Sequence, residues 1–189
     1  GLTAYSALKK IGAPPPEQPV LLLGMGGVGL MAMALAKSVL PNPIIAADID
    51  ATKREAALKY GAVEAIEPTA EAWKGVMSRR GMAAAAIDFV GAPATFGFGT
   101  GAIKRGGKYI IVGLFGGKAT LPLASLPLKP YSIIGSYVGR LDEARELITL
   151  LRAGAAPAPP MHERPLDEAN SAINDLRAGK VLGRVLLKP

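Results

Sequence analysis

The sequence predicts an α/β fold: a doubly wound, six-stranded parallel sheet with a C-terminal helix–strand appendage. Three observations predict it. Short, wholly apolar runs such as Val20–Leu23 and Ile44–Ala47 read as strands covered on both faces. Helically spaced segments alternate with such runs, which implies parallel pairing through crossover helices. A glycine cluster, Gly24-Met25-Gly26-Gly27-Val28-Gly29, joins the first apolar run to the helix after it.

Leu2 to Ile11 carries apolar residues at helical spacing and stops at Gly12; a proline-rich loop then leads to the first strand, Val20–Leu23. A helix from Val28 to Val39 ends before Pro41 and Pro43. The second strand, Ile44–Ala47, ends at Asp48, and a helix from Thr52 to Tyr60 closes at Gly61. Val63–Ile66 reads as a third strand, Thr69–Arg80 as a helix closed by Gly81, and Ala85–Val90 as a fourth strand. Pro93–Lys104 reads as a glycine-diluted helix, Lys108–Val112 as a fifth strand and Tyr131–Gly135 as a sixth. Leu141–Ala153 is an amphipathic helix ended by Gly154.

Residues 1–154 therefore read as one domain and 155–189 as the appendage. The appendage holds a Pro/Ala-rich linker to Pro160, a helix from Leu166 to Ala178 and a strand from Arg184 to Leu187. His162, the only histidine, is placed in the linker with a surface role. Ala119–Leu123 reads as an edge strand, and an exposed edge invites pairing, so a homodimer through it is expected.

Composition narrows the function classes. Half of the 189 residues are hydrophobic and 20% are charged, which suits a packed core rather than disorder. There is no cysteine, which excludes disulfides, a thiolate nucleophile and any cysteine-based zinc site. The net charge is +7, but the basic residues come as scattered pairs such as Lys9-Lys10 and Arg79-Arg80. No basic face is interleaved with aromatics, so a solvated surface is expected and no nucleic-acid partner. Val20 to Ala36 is uncharged and approaches membrane-span length, yet its four glycines suit a strand–turn–helix, so no membrane role is expected. No signal-peptide pattern opens the chain, Gly1-Leu2-Thr3-Ala4-Tyr5 reads as mid-protein sequence, and a cytoplasmic location is expected.

The glycine cluster carries the chemistry. Gly24 allows a tight turn out of the strand, Gly26 lets backbone approach a pyrophosphate, and Gly29 lets the helix pack closely. The helix N-terminus offers free N–H groups and a positive dipole end to phosphates. Asp48 follows Gly29 by about 20 residues, at a strand end, where a carboxylate accepts hydrogen bonds from ribose hydroxyls. This is the pattern of a dinucleotide-binding Rossmann sheet. Asp48 would repel a 2′-phosphate, so NAD is favoured over NADP. Lys53 and Arg54 leave two placements open: beside the ribose and adenine, or on a 2′-phosphate.

These residues resemble the zinc-type medium-chain alcohol dehydrogenases, over nearly the whole chain. Gly1–Leu8 looks like the family's helix after its last catalytic-zinc ligand, and Leu22–Ala32 is similar to its nucleotide-binding turn. Ile45–Asp50 followed by Lys53 matches its ribose-binding strand end. Ile87–Gly91 and Gly106–Gly113 match its fourth and fifth strands, and Pro165–Asn170 with Gly179–Leu187 its C-terminal return.

The resemblance implies site roles. Thr3 would lie near the nicotinamide. Gly26, Gly27 and Val28 would hold the pyrophosphate, with Asp48 and Lys53 at the ribose; Gly24, Gly29 and Ile49 count with them as cofactor-binding residues. Val90, Gly91, Val112, Gly113, Leu114, Ser136 and Val138 would line the groove from adenine to nicotinamide, and Arg184 would reach back to the pyrophosphate. It also implies a parent enzyme that transfers a hydride from a small alcohol to NAD. Zinc ligands, proton relay and most of the substrate pocket would lie in an N-terminal catalytic domain absent from this chain, to which the appendage belongs. No catalytic or metal-binding residue is assigned here, and the chain alone is expected to bind NAD(H) without turnover. The competing readings are a quinone-reductase-type oxidoreductase of the same superfamily, which Asp48 disfavours, and a non-catalytic NAD(H)-binding module. An S-adenosylmethionine methyltransferase is remote.

Overall fold

A computed structural model describes residues 1–189. The first helix, α1 (Leu2–Ile11), ends where Gly12 takes φ +80°, a left-handed conformation that spares glycine a Cβ clash. It is followed by β1 (Val20–Leu23), α2 (Gly27–Val39), β2 (Ile44–Ala47) and α3 (Ala51–Lys59). Then come β3 (Glu64–Ile66), α4 (Ala70–Arg80), β4 (Ala83–Asp88), α5 (Pro93–Ala102) and β5 (Ile103–Ile111). The chain closes with α6 (Ser125–Leu128), β6 (Ser132–Gly135), α7 (Leu141–Arg152), β7 (Met161–Pro165), a 3-10 turn (Leu166–Glu168), α8 (Ala169–Arg177) and β8 (Arg184–Lys188).

The six main strands form one parallel sheet in the order β3-β2-β1-β4-β5-β6. Strand order reverses between β1 and β4, and in such sheets the crevice beyond the strand ends at that point is the place where ligands bind. Every residue of β1, β2 and β4 is buried, as two-sided coverage requires. One core packs α1, α2, α3 and α7 on one face; the other joins Trp73 and Val76 of α4 with Ala102 of α5 on the opposite face.

The glycine-rich α5 has a packing reason. A Cβ on Gly99 would lie 2.3 Å from the Tyr109 ring and 2.9 Å from Leu23, so glycine lets the helix settle onto the sheet. Phe96 then meets Tyr109 edge-on with ring centroids 5.4 Å apart.

Several expectations are corrected. Residues 119–123 form no strand; the chain from 112 to 122 runs without regular structure, and Pro122 starts the turn into α6. The open edge on that side is β6. His162 lies not in a linker but in β7, which pairs in parallel with β8 as a separate two-stranded sheet. Its Nε2 sits 3.0 Å from the Leu182 carbonyl oxygen. All five β7 residues are solvent-accessible, so no buried face marked the strand in the sequence.

The fourth strand runs over 83–88, ending two residues earlier than expected, because the Asp88 side chain captures the N–H groups of Val90 and Gly91. The α5 helix stops at Ala102 rather than Lys104, and β5 begins immediately at Ile103, which pairs with Ala83 across a register shift. The helix expected from Leu166 opens as a 3-10 turn and becomes α-helical only at Ala169.

The C-terminal segment is fastened to the main sheet unit. Tyr60 donates its hydroxyl to the Ala158 carbonyl at 2.7 Å, and Ser38 donates to the Ala155 carbonyl. No helix is long and apolar enough to cross a membrane.

Candidate functional site: a groove at the reversal of strand order

The turn after β1 is built from backbone demands. Gly24 takes φ +86°, and a Cβ there would meet Val90 at 2.5 Å. Gly29 is constrained by its own turn: a Cβ would lie 1.9 Å from the Gly24 carbonyl oxygen. Nothing lies within 4 Å of a Cβ placed on Gly26, which faces open space. The first helical bond of α2 runs from Leu30 N–H to the Gly26 carbonyl at 2.9 Å. The N–H groups of Gly27, Val28 and Gly29 have no acceptor in the chain, and no side chain caps the helix. These are the orphan donors of a helix N-terminus, aimed where an anion is favoured.

Asp48, buried at the end of β2, bridges two segments. Its Oδ2 accepts Met25 N–H at 2.6 Å, and its Oδ1 accepts Asp50 N–H at 2.9 Å. Each carboxylate oxygen keeps a further lone pair for a ligand hydroxyl. Asp50 caps α3 through Thr52 N–H at 2.8 Å and lies 3.7 Å from the Lys53 ammonium. Arg54 turns one guanidinium nitrogen to backbone: its Nη1 donates to the carbonyls of Asp48 at 2.8 Å and Ile49 at 2.9 Å. That interaction ties the β2 end to α3.

A groove of about 520 Å³ gathers most of the residues singled out from the sequence: Gly24, Gly26, Gly27, Val28, Gly29, Asp48, Ile49, Lys53, Val90, Leu114 and Arg184. Arg184 enters from β8. Its side chain approaches Gly27 so closely that a Cβ there would sit 2.7 Å from Arg184 Nε. Phe89 and Phe115 also line the groove and were not anticipated. Adjacency to Val90 and Leu114 was the only signal, and Phe115 is 81% exposed.

Thr3, Gly91, Val112, Gly113, Ser136 and Val138 do not line that groove. Gly91 and Gly113 are in backbone contact with each other, and Gly91 lines a separate pocket. Ser136 follows β6 with a buried, unpartnered hydroxyl, and Val138 is the one non-glycine residue with positive φ, at 49°. No group of three His, Cys, Asp or Glu side chains is placed to hold a metal ion. Zinc therefore has no fitting donor set in these residues.

The sequence pattern of the family described as "Zinc-binding dehydrogenase" matches residues 27–153. The chain belongs to the zinc-binding dehydrogenase family. Among its relatives, an "NAD-dependent alcohol dehydrogenase" of Sulfurisphaera tokodaii is 31% identical over 194 residues, which cover all of this chain and 55% of the relative. An "Alcohol dehydrogenase" of Geobacillus stearothermophilus is 32% identical over 189 residues, again 100% of this chain and 55% of the relative. The crystal structure of the alcohol dehydrogenase from Aeropyrum pernix superposes with a TM-score of 0.92 at 35% identity, covering 100% of this chain and 55% of that one. Acetophenone reductase from Geotrichum candidum, solved in complex with NAD, superposes with a TM-score of 0.87 at 26% identity, over 100% of this chain and 53% of that one. The chain thus spans about half the length of the dehydrogenases it matches.

Proposed function

We propose that this chain is the NAD(H)-binding part of an alcohol dehydrogenase. One observation carries the reading: a single groove joins three unpaired N–H groups at the α2 N-terminus, the Arg184 guanidinium and the Asp48 carboxylate. The N–H groups and Arg184 suit a pyrophosphate, and the open space at Gly26 admits its close approach. Asp48 suits a ribose diol, with Lys53 beside it. Bound NAD would supply the hydride-accepting chemistry for an alcohol substrate. The chain's own residues hold and orient the dinucleotide for that transfer and supply no acid, base or metal to it.

The engagement of Arg54 with backbone carbonyls favours NAD over NADP and disfavours the quinone-reductase alternative. In the parent protein, the zinc ligands and substrate pocket lie in the length that the relatives have and this chain does not span. A cytoplasmic location and a homodimer are part of the same reading. The unpaired edge of β6, with Ile133 exposed, is the surface that supports such a dimer.

Isothermal titration of the chain with NAD and NADP tests the reading. NAD is expected to bind more tightly, with no oxidation of primary, secondary or polyol alcohols by the chain alone. Equal or tighter NADP binding overturns the assignment of Asp48.

A further inference from the structure

Val90, Leu114 and Phe115 line one part of the groove, and a residue outside the groove holds the turns that carry them. Asp88, the last residue of β4, is only 1% exposed. Four donors converge on its carboxylate. Oδ1 accepts the N–H groups of Val90 and Gly91, each at 2.9 Å, and Oδ2 accepts the hydroxyls of Thr95 and Tyr109, each at 2.7 Å. A carboxylate has about four acceptor sites, so this one is saturated within the chain. The Asp88 backbone carbonyl accepts Val112 N–H at 2.9 Å and Gly113 N–H at 3.0 Å.

The two turns that Asp88 holds are bonded to each other. Phe115 donates its N–H to the Val90 carbonyl at 3.0 Å, and Gly116 to the Gly91 carbonyl at 3.1 Å. Gly91 adopts φ +73°, and a Cβ on it would fall 2.0 Å from the Gly113 carbonyl oxygen. The turns are therefore in backbone contact, and displacement of one displaces the other. Core packing alone would be met by an apolar side chain, as at Ile87 beside it. A buried carboxylate is explained by the unmet N–H groups of the turn that follows.

We propose that Asp88 is a positioning residue for dinucleotide binding, locking the 90–91 and 112–116 turns together so that Val90, Leu114 and Phe115 line the groove. This rests on the NAD(H) reading above. Three variants of the chain separate positioning from packing. Asp88→Ala removes every acceptor. Asp88→Asn keeps a carbonyl for the two backbone N–H groups and donates its amide to the Thr95 and Tyr109 hydroxyls, which turn to accept. Tyr109→Phe removes one hydroxyl and leaves the backbone pair intact.

NAD affinity is measured by calorimetry at a temperature where each variant is folded, and amide hydrogen exchange is followed at Val90 and Gly91. Asp88→Ala should bind NAD about ten-fold more weakly than wild type, and Asp88→Asn within about three-fold of it. Tyr109→Phe should melt lower yet bind NAD as wild type does. Exchange at Val90 and Gly91 should accelerate in Asp88→Ala alone. Unchanged NAD affinity in Asp88→Ala overturns the proposal, as does an equal loss in Tyr109→Phe. If Asp88→Ala does not fold, wild-type exchange decides: unprotected Val90 and Gly91 amides overturn the proposal, and protected ones with NAD affinity kept in the other two variants support it. A wild-type chain that binds no NAD overturns the functional reading instead, while the exchange rates still test the hold on the turns.

Discussion

Replacing Asp48 with alanine should weaken the fold before any cofactor is added. The carboxylate is the acceptor for Met25 N–H at 2.6 Å, and Met25 is fully buried. A buried donor left unmet costs about 1–3 kcal/mol. Asp50 N–H, the second donor at 2.9 Å, belongs to a partly exposed residue and adds little. For a chain of this length the cost corresponds to a fall of about 2–12 °C in melting temperature. Asp48→Asn keeps one oxygen for Met25 and should fall less. The assay is a circular-dichroism melt without cofactor; alanine melting within about 1 °C of wild type would refute the clamp. The effect on cofactor choice is separate. A carboxylate and a 2′-phosphate charge about 4 Å apart repel by about 1 kcal/mol in water and about 4 kcal/mol near a protein surface. The ratio of NADP to NAD dissociation constants should therefore drop by between about five-fold and several hundred-fold in Asp48→Ala. Taking the ratio removes the stability cost common to both cofactors, so an unchanged ratio would refute the ribose role.

Other expectations follow from the same geometry. Gly26→Ala places a methyl group in open space at φ −73°, so its melting temperature should match wild type while NAD titration shows weaker binding; unaltered affinity would argue against a pyrophosphate at this turn. Arg54→Ala should leave the NADP-to-NAD ratio unchanged, because its guanidinium already serves the Asp48 and Ile49 carbonyls; a ratio shifted toward NAD would show a 2′-phosphate role. Glu64 joins β3 to Arg79 and Arg80 of α4, and the Arg79 contact first, then Arg80, holds its carboxyl below the usual range against the opposing effect of burial. A depressed folded pKa means the contribution is present above the unfolded value and lost as pH falls through the folded one. The melting gap between wild type and Glu64→Gln should therefore be full near neutrality and close on acidification, and a gap independent of pH would refute it.

Local patterns in the sequence mark the central strands and the glycine turn beside them. Strands covered on both faces must be apolar at every position, so Val20–Leu23 and Ile44–Ala47 were legible to the residue. Gly24 and Asp48 were legible because a left-handed turn and a carboxylate at a strand end leave local signatures. Contacts between residues distant in sequence were not. The β7 strand buries none of its residues, so only its ladder to β8 defines it. Arg184 reaches the glycine turn because that small sheet docks there, and Arg54 is tied to the β2 end by two carbonyls that no spacing rule reveals. Asp88 read as the middle of a strand; it ends one because its carboxylate accepts the N–H groups of Val90 and Gly91 that follow. Local patterns register what a residue's immediate backbone requires. Which donor meets which acceptor across the sheet is decided only when the strands are in place.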